Sequence, residues 1–245
     1  MTVVYQYPLR TDFVGVRSLQ ANGTNPSGNS APSGNGPQIC IVDGWARMKA
    51  WDTDAPFAGN IRSEITGYDE TVPSKRLYRW ESRFEKWPLN GPSFVTMQMH
   101  ANHDGAAYAE NVLMYFDGKE LSLNLPATEP PNTGTTSKQV AAIPIAMGNI
   151  YKHALLINWD KTGNGSICWI VNGQVIFNAT KIGTEYNYVV GPYLKLGVYN
   201  TSGATGWGER EQYVRDVIVT DGLEGKSWTE LIGDIPRPIP FVVTT

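Results

Sequence analysis

The chain has 245 residues, a length that one all-β sandwich can reach and that buries a core without disulfide or metal staples. Its formal net charge of -3 argues against nucleic acid as a partner, so an acidic polymer would have to meet a local basic patch. Charged residues make up only 18%, whereas 25 glycines and 16 prolines are typical of many short strands joined by turns.

Short alternating or apolar segments separated by turn residues recur along the chain and predict strands. In chain order they cover residues 3–7, 12–16, 39–42, 46–51, 60–66, 77–87, 94–100, 112–116, 120–125, 153–159, 166–171, 174–178, 193–200 and 214–220. The turn pairs that predict hairpins are Asp43-Gly44, Asp117-Gly118, Asn164-Gly165 and Asn172-Gly173. Many short strands without a sustained helical period predict an all-β jelly-roll sandwich of two antiparallel sheets.

Polar segments rich in Gly, Pro, Asn, Ser or Thr interrupt this pattern. Residues 21–38 predict a flexible loop, and residues 127–138 predict a second polar loop. Near the C-terminus, residues 227–232 predict a short helical turn, followed by a Pro-rich arm that cannot be a central strand. We therefore expect one domain over residues 1–222 and an arm over residues 223–245.

Some classes of protein and site are not indicated. The N-terminal residues lack a basic and then apolar leader, so we expect no classical signal peptide. No apolar run approaches the roughly 18 residues of a membrane span. Cys40 and Cys168 form no framework, and both one disulfide and two free thiols stay open. We read His103 and Asp104 as loop residues, and no other His/Cys/Asp spacing indicates a metal site.

Three of the predicted strands carry polar residues at alternate positions on one face. These residues are Arg62 and Glu64, Gln98 and His100, and Tyr193, Lys195 and Tyr199. Gly197 lies within the last strand, and an interior strand glycine often marks a close approach, which we interpret as the floor of a ligand cleft. If the three strands are neighbours in one sheet, then cations, an amide, an imidazole and a phenol converge there.

This set of groups suits β-elimination on a uronic acid polysaccharide. Arg62 and Gln98 could neutralise the sugar carboxylate and stabilise the enolate-like intermediate that forms when the C5 proton leaves. A base must take that proton, and an acid must protonate the glycosidic oxygen at C4. Tyr199 has a reference pKa of about 10, and the cations Lys195 and Arg62 would favour its phenolate. His100, neutral near pH 7, is the other candidate base.

The same three segments resemble the motifs of a known enzyme family. In chain order, Arg62-Ser63-Glu64-Ile65, Gln98-Met99-His100 and Tyr193-Leu194-Lys195-Leu196-Gly197-Val198-Tyr199-Asn200 are similar to the motifs of alginate-lyase-type polysaccharide lyases. The last motif is also similar to that of jelly-roll glucuronan and heparin lyases. The resemblance implies a concanavalin-like β-jelly roll, no cofactor and an acidic polysaccharide as the partner.

By that resemblance, each motif residue takes a role in the site. Gln98 and Arg62 would neutralise the carboxylate. Tyr199 would be the acid, or acid and base together, and His100 would be the base for the opposite C5 configuration. The residues that would bind substrate are Glu64, Lys195, Tyr193 and Asn200.

Three positions depart from the family pattern. Thr66 stands where a second arginine is usual, Met99 replaces Ile or Val, and Thr201 replaces a glutamine. The change at position 66 removes one cation from the expected site. Because Met99 is neither Ile nor Val, position 99 gives no guide to whether mannuronate or guluronate is preferred.

Two alternatives to an enzyme stay open. The same fold could hold a glycan without cleaving it, with Trp45, Trp51 and Trp207 as candidate sugar-stacking platforms. It could also serve as a phage virion attachment or decoration protein, with a homo-oligomer or a virion partner bound through the terminal arms. In each case we expect action outside the cell or at a virion surface.

Overall fold

The structure is a computed structural model that describes residues 2–9, 12–13, 16–21, 38–56, 59–69, 75–89, 91–100, 112–127, 136–160, 162–184 and 191–221. These residues form strands joined by turns and loops. The strands are β1 (Thr2–Tyr7), β2 (Ser18–Ala21), β3 (Ile39–Val42), β4 (Trp45–Trp51), β5 (Arg62–Thr66), β6 (Lys75–Glu85), β7 (Phe94–His100), β8 (Val112–Phe116), β9 (Glu120–Pro126), β10 (Ser137–Pro144), β11 (Tyr151–Asn158), β12 (Gly165–Val171), β13 (Gln174–Ile182), β14 (Tyr193–Tyr199) and β15 (Glu209–Asp221).

The strands form two antiparallel sheets. The larger sheet has the order β13-β12-β11-β6-β15-β4-β3, and β1 also pairs with β15. The smaller sheet has the order β10-β9-β8-β7-β14-β5-β2. Neighbouring strands in each sheet are often far apart in sequence, because the chain crosses between the sheets. This arrangement confirms the predicted all-β sandwich.

One apolar core joins the two sheets. In β14, Leu194, Leu196 and Val198 are each at most 1% exposed. They belong to the same core cluster as Tyr78 and Trp169 of the larger sheet. Because side chains alternate along a strand, the residues between them in β14 point away from the core. That outer face of the smaller sheet carries the polar residues of the three motifs.

Two of the predicted hairpins have the expected turn geometry. Asp43 and Gly44 have φ values of 51° and 75°, and Asn172 and Gly173 have values of 48° and 80°. Positive φ at both central residues is the type I′ arrangement, whose twist matches that of the flanking strands. These turns join β3 to β4 and β12 to β13.

Other predicted elements were wrong or incomplete. The second strand is Ser18–Ala21, and residues 12, 13 and 16 are not in a strand. The polar loop gives way to β10 at residue 137; this strand was missed because it lies at a sheet edge and has a weak apolar pattern. Asn164-Gly165 is not a two-residue turn, because Gly165 belongs to β12 and Asp160 organises the loop by accepting hydrogen bonds from backbone N–H groups.

Both cysteines are free and buried. Cys40 lies in β3 and Cys168 in β12, five strands apart in the larger sheet. Strand spacing puts them roughly 24 Å apart, too far for a disulfide. Burial raises the pKa of the Cys168 thiol to about 11, so that thiol is not reactive.

Several expectations fall on residues outside the described ranges. They concern most of the loop over residues 21–38, the residues His103 and Asp104, and the helical turn and arm after residue 222. The division into a domain and an arm therefore stays a prediction. Within the part of the chain that is described, no helix is long and apolar enough to cross a membrane.

Candidate active site

The three strands that carry the motifs are neighbours at the centre of the smaller sheet. β14 lies between β7 and β5, as the convergence of their polar residues requires. The cross-strand partners are Lys195 with Thr66 and Gln98, Gly197 with Glu64, Tyr199 with Arg62, and Tyr193 with His100. Residues that are roughly 90 to 140 positions apart in sequence therefore share one polar face.

β14 has an irregularity around Gly197, where its pairing with β7 shifts and the β5 backbone comes very close. The register to β7 shifts between Leu196 and Tyr199. The φ of Gly197 is +151°, and a Cβ atom there would lie 2.1 Å from the Ser63 carbonyl oxygen and 2.6 Å from Glu64 Cα. The close approach indicated by this glycine is therefore that of the β5 backbone, not that of a ligand as the sequence suggested.

A second irregularity lies in β7. Its register to β8 shifts between Val95 and Met97. As a result Phe94, Met97 and Met99 belong to the core cluster, and Val95 does not. A regular two-residue alternation would place Val95 on the core side with the two methionines, but the bulge changes the alternation by one residue. Gln98 keeps its predicted place on the polar face, beyond the bulge.

One continuous chain of contacts joins the first, second and third motifs. Gln98 Nε2 donates to Glu64 Oε1 at 2.6 Å. Glu64 Oε2 lies 3.7 Å from Arg62 Nη1, and the Arg62 guanidinium carbon lies 4.1 Å from the centroid of the Tyr199 ring. Asn60 Nδ2 donates to the Tyr199 hydroxyl at 3.3 Å. An amide, a carboxylate, a guanidinium and a phenol thus form a connected group.

This group is buried, and some of its polar atoms have no hydrogen-bond partner within the protein. Glu64 and Gln98 are each 1% exposed, and Arg62 is 8% exposed. Glu64 Oε2, Gln98 Oε1 and Arg62 Nε are buried atoms without a hydrogen-bond partner. A buried polar atom without a partner costs roughly 1–3 kcal/mol, so a ligand that reached these atoms and supplied partners would be favoured. Glu64 faces its two protein neighbours, which indicates that it orients them.

A second group of contacts surrounds Tyr193. Its ring centroid lies 5.2 Å from that of His100, 5.6 Å from Lys195 Nζ and 5.3 Å from the Arg17 guanidinium carbon. His100 is five positions along β7 from the partner of Tyr199, which corresponds to roughly 15 Å of strand. This is a separation of backbone positions, so the His100 and Tyr199 side chains have to lean toward each other across the face to reach one sugar.

Asn200 lies in the loop that follows β14 rather than on the polar face. It is 3% exposed, its Nδ2 donates to the Ala204 carbonyl at 3.0 Å, and its Oδ1 accepts from the Ser202 N–H at 3.0 Å. Trp207 Nε1 donates to the same carbonyl at 2.8 Å. These contacts shape the loop directly after Tyr199, so the role of Asn200 is to hold that loop.

The tryptophans suggested as sugar platforms do not line this face. Trp45 and Trp51 belong to β4 of the larger sheet. Trp45 and Trp207 are each only 4% exposed, so neither ring has a face open to a sugar, and Lys49 Nζ lies 3.8 Å from the centroid of a Trp51 ring. On the described part of the polar face, the aromatic rings that lie next to cations are those of Tyr193 and Tyr199.

Residues that precede the motifs also lie at the site, although the motif pattern does not include them. Asn60, next to Tyr199, lies two positions before the first motif. β2 adds Ser18, whose Oγ is 2.6 Å from Thr66 Oγ1, and Gln20, which is opposite Glu64. The alternation of polar and apolar residues over residues 18–21 was a signal for this strand, but a four-residue edge strand is easily overlooked. Among the described residues, no group of three or more His, Cys, Asp or Glu could hold a metal ion.

The comparison with known families identifies the class of this protein. A family model described as "Polysaccharide lyase" matches residues 14–217, which is most of the chain. The chain belongs to the polysaccharide lyase family, and the predicted enzyme class is confirmed. The non-catalytic alternatives are not favoured. No curated protein matches the sequence.

Solved structures show the same jelly-roll fold. An endo-β-1,4-glucuronan lyase from the fungus Trichoderma reesei has a TM-score of 0.66 and 16% identity, covering 91% of this chain and 97% of that chain. Alginate lyase A1-II′, a member of polysaccharide lyase family 7, has a TM-score of 0.65 and 16% identity, with coverages of 87% and 98%. The alginate lyase from Corynebacterium sp. has a TM-score of 0.59 and 13% identity, with coverages of 88% and 98%.

Proposed function

We propose that this lyase cleaves an anionic, uronic-acid-containing polysaccharide, of the alginate or glucuronan kind, by β-elimination. The observation that carries the proposal is the chain of contacts from Gln98 through Glu64 and Arg62 to Tyr199. It joins groups that can bind a carboxylate to a phenol that can exchange a proton. The names of the solved neighbours, glucuronan lyase and alginate lyase, support uronate as the sugar class.

The first requirement of the reaction is a neutralised carboxylate. The C5 proton of a uronate is too weakly acidic to leave while the adjacent carboxylate keeps its full charge. The Arg62 side chain is 8% exposed, and its buried Nε has no hydrogen-bond partner within the protein. In the proposed complex this guanidinium donates to a carboxylate oxygen. The Gln98 amide gives one N–H to Glu64 and keeps a second. These donors stabilise the negative charge that develops when the proton leaves.

The second requirement is a proton acceptor and a proton donor. The base takes the C5 proton, the electron pair of that C–H bond forms a C4–C5 double bond, and the C4–O bond breaks. The departing glycosidic oxygen then receives a proton from the acid. We assign Tyr199 as the acid, or as acid and base together, because the Arg62 guanidinium over its ring favours negative charge on the phenol oxygen. His100 is the base for the opposite C5 configuration.

The remaining polar residues bind the polymer. Lys195 is 2% exposed and lies opposite Gln98, so it adds positive charge at the level of the carboxylate site. Tyr193, with His100 beside it, gives a partly apolar surface against which a sugar ring can pack. Glu64 holds Gln98 and Arg62 in place.

The proposal is tested with alginate, polyglucuronate and heparin, by following the absorbance of the new double bond. We expect Tyr199→Phe to lower kcat by about 10²–10⁴-fold on every polymer that the enzyme cleaves, with unchanged thermal unfolding. His100→Asn should lose activity only on polymers of one C5 configuration. Tyr151→Phe, which removes a hydroxyl from the larger sheet, is the control. Absence of double-bond absorbance with every uronate polymer, from a folded enzyme, would contradict the proposal.

We also propose that the enzyme acts outside the cell or at a virion surface, since that is where such polymers are met. Oligomerisation or virion attachment through the terminal arms is part of this proposal. Recovery of the protein from culture medium or from purified particles would support it, and recovery from the cell interior alone would contradict it. Light scattering of the full chain would give the oligomeric state.

A further inference from the structure

Arg17 lies at the edge of the polar face, outside the three motifs. Its backbone N–H donates to the Thr66 carbonyl at 3.0 Å, and its guanidinium carbon lies 5.3 Å from the centroid of the Tyr193 ring. We propose that Arg17 binds the anionic group of a sugar next to the one that reacts, so that the enzyme selects polymers with consecutive anionic sugars. This inference rests on the proposed function and names the substrate feature that Arg17 recognises.

The present partner of Arg17 is easily exchanged. Arg17 Nη1 lies 2.5 Å from Asp69 Oδ1, with side-chain exposures of 39% and 33%. An ion pair this exposed contributes little to stability, because water and salt screen it and both side chains lose freedom when they pair. Asp69 therefore serves as a replaceable counter-ion. A sugar carboxylate can take its place without leaving a buried charge unpaired.

Arg17 differs in exposure from the motif cations. Arg62 and Lys195 are 8% and 2% exposed, so they reach only a sugar that is seated against the sheet. Arg17 stands beside Tyr193, and Tyr193 is six positions along β14 from Tyr199. That separation corresponds to roughly 20 Å of strand, which is longer than one sugar ring. Arg17 is therefore placed for a sugar other than the one whose proton is transferred at Tyr199.

Arg17 is held next to Thr66, the position where the expected second arginine is missing. The family resemblance predicts an arginine there, and this chain has Thr66 instead. Thr66 Oγ1 lies 2.6 Å from Ser18 Oγ, and Ser18 is its cross-strand partner in β2. These bonds fix the strand that follows Arg17 against β5. The cation that is missing from β5 is thus supplied by Arg17, the residue directly before β2, whose backbone N–H bonds to the Thr66 carbonyl.

The test compares Arg17→Gln with a charge-matched control. On the anionic polymer that the wild type cleaves, Arg17→Gln should raise KM by about fivefold and change kcat by less than twofold. A change of about fivefold corresponds to the strongest ion pairs between exposed side chains. The rise in KM with salt should also be shallower than in the wild type. Lys152→Gln removes the same charge from an exposed pair with Glu81, at 73% exposure on the larger sheet, and should leave KM unchanged.

Asp69→Asn separates recognition from a structural role. If Arg17 binds the substrate, removing Asp69 frees it, and KM should fall or stay unchanged. If the Arg17–Asp69 pair only supports the fold, Asp69→Asn and Arg17→Gln should raise KM and lower the melting temperature alike. That result would overturn the inference.

Measuring oligosaccharide binding to a variant that lacks the Tyr199 hydroxyl tests the role of Arg17 separately from the proposed function. An unsaturated uronate tetrasaccharide is titrated into Tyr199→Phe with and without Arg17→Gln, and we expect Kd to rise about fivefold in the double variant. Cleavage with unchanged KM and Kd in the Arg17 variants would overturn the inference while the proposed function stands. Absence of cleavage together with weaker tetrasaccharide binding in the double variant would overturn the function while the inference stands. Absence of both cleavage and binding would overturn both.

Discussion

Replacing Gly197 by alanine should damage stability and catalysis together. A Cβ atom at this position would lie 2.1 Å from the Ser63 carbonyl oxygen, whereas ordinary contact begins at 3.4 Å. Backbone atoms cannot rotate away as a side chain can, so β14 and β5 must separate by about 1 Å to relieve the overlap. The separation begins at the Gly197–Glu64 pair, two positions from the Tyr199–Arg62 pair of the same two strands.

The expected loss has two parts. A backbone conformation that side chains rarely adopt costs about 1–3 kcal/mol. Overpacking of a well-packed region costs about 1–3 kcal/mol more. We therefore expect Gly197→Ala to lower the free energy of unfolding by about 4 kcal/mol. A displacement of about 1 Å at the site should also lower kcat by up to ~100-fold.

A second glycine gives the control. Gly148 has a φ of +81°, and a Cβ atom there would meet nothing within 4 Å, so Gly148→Ala carries only the backbone cost of about 1 kcal/mol. Urea unfolding followed by tryptophan fluorescence measures the stability of both variants, and the double-bond absorbance gives kcat. If Gly197→Ala were as stable and as active as Gly148→Ala, the close approach of the two strands would be refuted.

Two further predictions concern buried ionisable groups. Burial lowers the pKa of His153 to about 3 in the folded state, from 6.5, so the unfolded chain binds a proton first as the pH falls. The contribution of His153 to the free energy of unfolding should be complete above pH ~6.5 and fall by about 1.4 kcal/mol per pH unit toward pH ~3. In urea titrations between pH 6.5 and 5, His153→Gln should show a flatter dependence of stability on pH than the wild type. An equal slope would contradict the prediction. Glu64→Gln removes the charge that orients Gln98 and Arg62, so kcat should fall at least about tenfold, and an unchanged kcat in a folded variant would exclude the positioning role of Glu64.

Local sequence pattern predicted most of the strands and the polar face. The alternation in β14, with Leu194 and Leu196 toward the core and Lys195 between them, depends only on the two-residue period of a strand. The turn pairs Asp43-Gly44 and Asn172-Gly173 were similarly readable, because positive φ at two successive residues strongly favours those residue types. The motif residues were therefore found before their surroundings were known.

Strand order, the bulges and the residues contributed by β2 were decided by tertiary packing. The register shift at Val95 changes which side chains face the core, the shift near Gly197 changes the pairing of β14 with β7, and no local period signals either of them. Arg17 and Asn60 reach the site only because distant strands pair, and Asn200 turned out to bond within its own loop. A strand's own sequence determines which residues share a face. Which strands become neighbours depends on packing between segments that are far apart in the chain, which is why only the folded sheet revealed the full set of residues around Tyr193 and Tyr199.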